Sequence, residues 1–278
     1  MIHWNSLPGS LPCGSILGIP VRLHVLFLVV LALQVLGSIY YGVQWMLLWF
    51  LLLGPVLLFT VLIHELGHCF GARSVGGVVQ GILLWPLGGL AFIGHTAGPK
   101  ADMWVAIAGP LTHLPMTGFW LAMLAVATHA ATGSWEISLA LPDPSGAGLG
   151  QALCAGAVVM NLSMLAFNLL VPAYPLDGGR LLVDALLVAG VDDVLTARIT
   201  LGLAVPLAIG VCVFGIVVFE MVTIMVGVFI LLSCWSLWTF LRDGNLRQHP
   251  LFAFTDEVAT NEHSYWKMGG GPNAGSQV

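Results

Sequence analysis

Apolar residues run along this chain in long unbroken blocks, without the strict alternation of a half-buried strand or the narrow stripe of a surface helix. From His24 to Tyr41 no residue is charged, and these 18 residues are just enough helix to cross about 30 Å of hydrocarbon. Gln44 to Ile63 is a second uncharged run; Gly54-Pro55 inside it predicts a kink, because proline cannot donate to the helical ladder. A third run covers about Met103 to Ala131 and is interrupted at Gly109-Pro110 and His113-Leu114-Pro115. A fourth, about Gln151 to Val171, leads into Pro172-Ala-Tyr-Pro-Leu-Asp-Gly-Gly-Arg180 and a short helix over Leu181 to Ala189. Ile199 to Leu241 spans 43 residues with Glu220 as its only charge, about 65 Å of straight helix, so it reads as two crossings that turn at Glu220.

Ser74 to Asp102 breaks the pattern. Glycines and prolines punctuate short apolar pieces, Ile82-Leu-Leu-Trp85 and Leu90-Ala-Phe-Ile93, which predicts strands with turns. Such backbone persists at membrane depth only where protein or a water-filled cavity satisfies it, so the segment is expected beside a functional cavity, with a compact surface loop as the alternative. Met1 to Val21, rich in Pro and Gly, reads as an irregular or short-strand lead-in without the features of a cleaved signal peptide. After Arg242 the chain turns polar and Gly-rich and is expected to be a disordered tail. The expectation is an all-α polytopic membrane protein: a lead-in over 1–23, a six-span core over 24–241 and a tail over 242–278. A small Gly-rich β-hairpin or strand segment lies between the second and third transmembrane helices.

Composition agrees, since charged residues make up 8% of the chain against about 25% in a soluble domain. The 13 acids and 8 bases are too scattered for a nucleic-acid surface, so the partners expected are the lipid bilayer and proteins within it. Five cysteines, odd in number and without a Cys-x-x-Cys pair, read as small buried apolar residues. With six spans all the basic residues, Arg22, Arg73, Lys100, Arg180, Arg198, Arg242, Arg247 and Lys267, fall on one side. The positive-inside rule then makes that side cytoplasmic and puts both termini there, in a multi-pass protein of the cell membrane.

The second span ends in His64-Glu-Leu-Gly-His68. Residues four apart share a helix face, so His64 and His68 can hold one zinc ion while Glu65 acts on a water. A third protein ligand is needed, and Asp102, Asp177, Asp184, Asp192 and Asp193 lie on the correct side. Asp177, framed by Leu176 and Gly178-Gly179, is favoured, because a charge in an apolar frame needs a cation; Asp184 is the reserve. A polytopic metal-ion transporter or an inactive protease-fold scaffold are the rival readings. The first would carry polar residues from one membrane face to the other, whereas these candidates gather at one end.

In combination these motifs resemble the site-2 protease family of intramembrane zinc metalloproteases. The resemblance rests on His64-Glu-Leu-Gly-His68, Pro86-Leu-Gly-Gly-Leu-Ala91, Ala108-Gly-Pro-Leu111, and Asn168 through Pro175-Leu-Asp-Gly-Gly-Arg180. It implies zinc on His64, His68 and Asp177, Glu65 as general base, and a Gly-rich segment that pairs with an unwound single-span membrane-protein substrate. The chain departs from the family pattern twice: His113 stands where the family often has Asn, and Asn168 lies nine residues before Asp177, one more than in the commoner pattern. Both are candidates for contact with substrate or the oxyanion. No PDZ or CBS module is evident.

Overall fold

The structure is a computed structural model that describes residues 8–145 and 148–253. It opens with β1 (Ser10–Ile16) and β2 (Ile19–His24), followed by α1 (Val25–Gly37), whose first turn is capped by the His24 ring accepting from Leu26 N–H at 3.2 Å. Then come α2 (Val43–Leu51) and α3 (Leu57–Ser74), β3 (Val78–Trp85) and β4 (Gly88–Gly94), α4 (Pro99–Leu111) and α5 (His113–Thr132). The chain continues through α6 (Gly148–Leu170), α7 (Asp177–Val188), α8 (Asp193–Val217) and α9 (Met221–Arg242). Glu220 marks the α8–α9 turn and caps α9 by accepting from Thr223 N–H at 2.7 Å.

Among the described residues, five helical stretches are long and apolar enough to cross a membrane: 43–74, 99–132, 148–170, 193–217 and 221–242. The apolar stretch Val25–Tyr41 is shorter, about 25 Å of helix. Gly54 and Pro55 lie where α2 passes into α3 through one π-helical turn, Leu52–Val56, which absorbs the missing proline N–H.

The sheet is larger than the sequence suggests. The Gly-rich segment does form two antiparallel strands, but the lead-in joins them in a four-stranded sheet of order β1-β2-β3-β4. β2 and β3 run parallel, pairing Val21 with Ile82 and Leu23 with Leu84. Alternation in Ile19-Pro-Val-Arg-Leu23 turns Ile19 and Val21 inward, where they pack with Ile82 and Leu84 against Val61 and Cys69 of α3. The sheet therefore lies on the helix that carries the histidines.

Three other expectations are corrected. Cys13 is exposed on β1, whereas Cys69, Cys154 and Cys234 are buried as expected. The short helix begins at Asp177, not Leu181, which puts the aspartate in a first helical turn. The expected tail does not start at Arg242: Leu246, Leu251 and Phe252 are buried against Val183, Ala197 and Leu237, because this polar stretch carries enough apolar side chains to dock. The tail expected over the last 25 residues, 254–278, lies outside the described residues.

His249 in that docked stretch is 1% exposed, its ring edge-on to Tyr174 and Phe240, and burial pushes its pKa down to about 4. Its ordinary value is higher, so below about pH 6.5 the unfolded chain takes the proton first and stability falls with pH until about 4. Between pH 6.5 and 5 this should remove about 2 kcal/mol. Thermal unfolding of the detergent-solubilised protein should show the loss, and His249→Phe should flatten it.

Candidate metal centre

α3 and α4 touch along small residues. A Cβ at Gly67 would meet the Ala108 carbonyl oxygen at 2.5 Å, and a Cβ at Gly109 would overlap the His68 imidazole. Glycine at both positions lets the backbones approach closely enough for the His68 ring to lie over α4. The four-residue spacing of Gly67 and Gly71 was a sequence signal for this contact.

That approach fixes His68. Its Nδ1 donates to the Val105 carbonyl of α4 at 2.8 Å, which in the neutral ring leaves a lone pair on Nε2. Nε2 faces His64 Nε2 at 3.1 Å and Asp177 Oδ1 at 3.2 Å, and His64 Nε2 lies 3.2 Å from Asp177 Oδ2. All three residues are buried, at 4–6% exposure. Their ligand atoms lie within 4.8 Å of one another. Asp177 Oδ2 is buried with no hydrogen-bond partner despite its short distance to His64. These facts agree if neutral imidazoles turn lone pairs, not protons, toward the carboxylate. Acceptors gathered in this way need a cation between them. Two imidazoles and one carboxylate, with one position left open, are the donor set of a catalytic zinc site.

Glu65, 6% exposed, lines the same cavity, and a Cβ at Gly89 of β4 would strike its carboxylate, so the strand passes as close as a glycine permits. The cavity holds about 680 Å³; His64, Glu65, His68, Asn168 and Asp177 line it among apolar side chains such as Phe229 and Val226. Asn168 thus faces the cavity. His113 does not line it: it is fully buried behind His64, with its Nε2 at 3.1 Å from His64 Nδ1.

The reserve ligand, Asp184, is absent from the metal cluster. It is 1% exposed and both its carboxylate oxygens are buried without hydrogen-bond partners. Burial and then the neighbouring Asp102 carboxylate push its pKa up to about 9. Asp102 itself is engaged by Arg180 and by His95 Nε2 at 2.8 Å. Burial works against the Arg180 charge, but Asp102 outweighs it and holds the guanidinium above its ordinary value. The pair ties the first turn of α7, and with it Asp177, to α4. Sequence reading passed over this role, although Arg180 directly follows the Leu-Asp-Gly-Gly run. Asp192 caps α8, accepting from Leu195 N–H at 3.0 Å, and Asp193 pairs with Arg247 at 3.5 Å, so neither faces the histidines.

No protein-family model matches the chain. It is 28% identical over 227 residues to a zinc metalloprotease of Methanocaldococcus jannaschii, a match covering 80% of this chain and 58% of that protein. It is 33% identical over 181 residues to a Mycobacterium tuberculosis protein provisionally named zinc metalloprotease Rip3, covering 62% of this chain and 42% of the other. The chain thus spans about half the length of the curated relatives it matches. Its fold is similar to the solved site-2 protease from Methanocaldococcus jannaschii, with a TM-score of 0.52 and 27% identity over 80% of this chain and 91% of that one. Together with the apolar helices, these likenesses make it a multi-pass membrane protein. With His64, His68 and Asp177 converging on one point of a fold similar to that solved structure, the chain resembles the site-2 proteases in both sequence and fold.

Proposed function

We propose that this protein is a zinc-dependent intramembrane endopeptidase that hydrolyses a peptide bond in or near the transmembrane segment of a single-span membrane protein. The observation that carries this reading is the convergence of His64, His68 and Asp177 beside Glu65 at one cavity wall. Six crossings are proposed, with Val25–Tyr41 as the first. Its exposed Leu33, Leu36 and Ile39 suit lipid contact, and Gln34 reaches Glu220 at 3.4 Å on the end away from the arginines. Both termini and the metal site then lie toward the cytoplasm.

His64, His68 and Asp177 would hold zinc, which when bound supplies a Lewis acid that polarises a carbonyl and brings the pKa of a water down to about 7. The Glu65 carboxylate accepts the proton of the attacking water and delivers it to the leaving amine. Apolar side chains such as Phe229 and Val226 around it lower the local dielectric and strengthen each charge in the cavity. A helical substrate hides its scissile carbonyl in intrahelical hydrogen bonds, so it has to unwind. β4 is an edge strand whose Gly89, Leu90, Ala91 and Ile93 line the cavity, and it offers replacement backbone bonds to the unwound segment. Asn168, which lines the same cavity, is suited to hydrogen-bond that segment.

The test is cleavage of a single-span substrate in proteoliposomes. Activity should disappear on zinc chelation, return when zinc is restored, and generate a new terminus within or beside the span. Cleavage that survives stoichiometric zinc removal would overturn the proposal.

A further inference from the structure

The buried face of His64 carries a hydrogen-bonded chain that no step above uses. Asn161 of α6, fully buried, donates from Nδ2 to the Ala157 carbonyl at 2.9 Å. A carbonyl can only accept, so this bond fixes the amide orientation and turns Oδ1 toward His113 Nδ1 at 3.1 Å. Oδ1 also only accepts, so Nδ1 of His113 carries the proton and, in the neutral ring, Nε2 holds a lone pair. That lone pair faces His64 Nδ1 at 3.1 Å, which must then be the protonated nitrogen of His64. The His64 lone pair is left on Nε2, the atom that meets His68 and Asp177.

We propose that His113 and Asn161 are positioning residues that set the tautomer and ring orientation of His64, so that Nε2 is presented to the metal. The inference rests on the reading of His64 as a zinc ligand. The two imidazole ligands are held differently: His68 by a backbone carbonyl of α4, His64 by a side-chain relay that crosses from α5 to α6. The helix break at Thr112 allows this. It starts α5 at His113 and leaves that side chain in the angle between α3 and α6. An apolar residue at 113 would leave the His64 Nδ1–H buried without an acceptor, and the ring could then turn or take the other tautomer.

The test is zinc affinity by chelator competition on purified full-length protein, together with the visible spectrum of the cobalt(II)-substituted form, which reports ligand geometry without requiring activity. His113→Leu and Asn161→Leu should each weaken zinc binding by about 10- to 100-fold and change the cobalt spectrum. His113→Gln, whose side-chain oxygen can accept as Nε2 does, should recover most of the affinity. A purely structural role would lower thermal stability in all three variants without this rescue. Should one leucine variant fail to fold, the other and His113→Gln still decide the matter. Wild-type zinc affinity in the leucine variants, with His64→Ala zinc-poor, would overturn the positioning role alone. Undiminished zinc affinity in His64→Ala would overturn the metal-centre reading itself.

Discussion

Glu65→Gln is expected to lower turnover of a membrane substrate by at least about 10³-fold while zinc content stays at the wild-type level, a loss of about 4 kcal/mol in transition-state stabilisation. The amide keeps the shape that fits under β4 at Gly89 and one acceptor oxygen, but its NH2 group only donates and the side chain cannot take a proton from water. Glu65 is not among the three clustered ligands, so metal binding should be indifferent to the change. Turnover measured beside metal analysis of the same preparation checks both halves. Undiminished cleavage with zinc bound would remove Glu65 from the mechanism.

Asp177→Ala should act the other way, on the metal first. It takes away the one anionic ligand of the cluster and leaves two imidazoles, so zinc affinity should fall by more than the roughly 100-fold that losing an outer partner costs. Asp184→Asn is the matched control. That carboxylate is buried seven residues further along the same helix, outside the metal cluster, so zinc affinity should stay within about threefold of wild type. Equal zinc loss in both variants would mean that the aspartates act through the packing of α7 and not through ligation.

Much of this site was legible because its chemistry is written in contiguous pieces. His64, Glu65 and His68 sit on adjacent turns of one helix, and Asp177 stood out as a charge among glycines. The apolar blocks gave the helices because each must satisfy its own backbone in lipid. What escaped were partnerships between distant segments. Nothing local to Ile19–His24 says that it runs parallel to β3, since that pairing exists only once both pack on α3. His113 drew notice as a departure from a pattern, but its place behind His64 depends on the break at Thr112 and on Asn161 arriving from α6. Arg180 looked like one of several topology-setting charges until the fold brought it to Asp102.

The docked stretch after α9 has one further consequence. Pro250 and Leu251 belong to the lining of the cavity that also holds Glu65 and the two histidines, and Leu251 is anchored beside Phe252. A chain shortened at Arg242 would keep His64, His68, Asp177 and every long apolar helix, yet it would lose part of the wall that, on the proposed reading, guides a substrate segment. Fusions and tags are therefore safest when joined beyond residue 253, and a protein trimmed back to its last helix could bind metal normally while cleaving with poor selectivity.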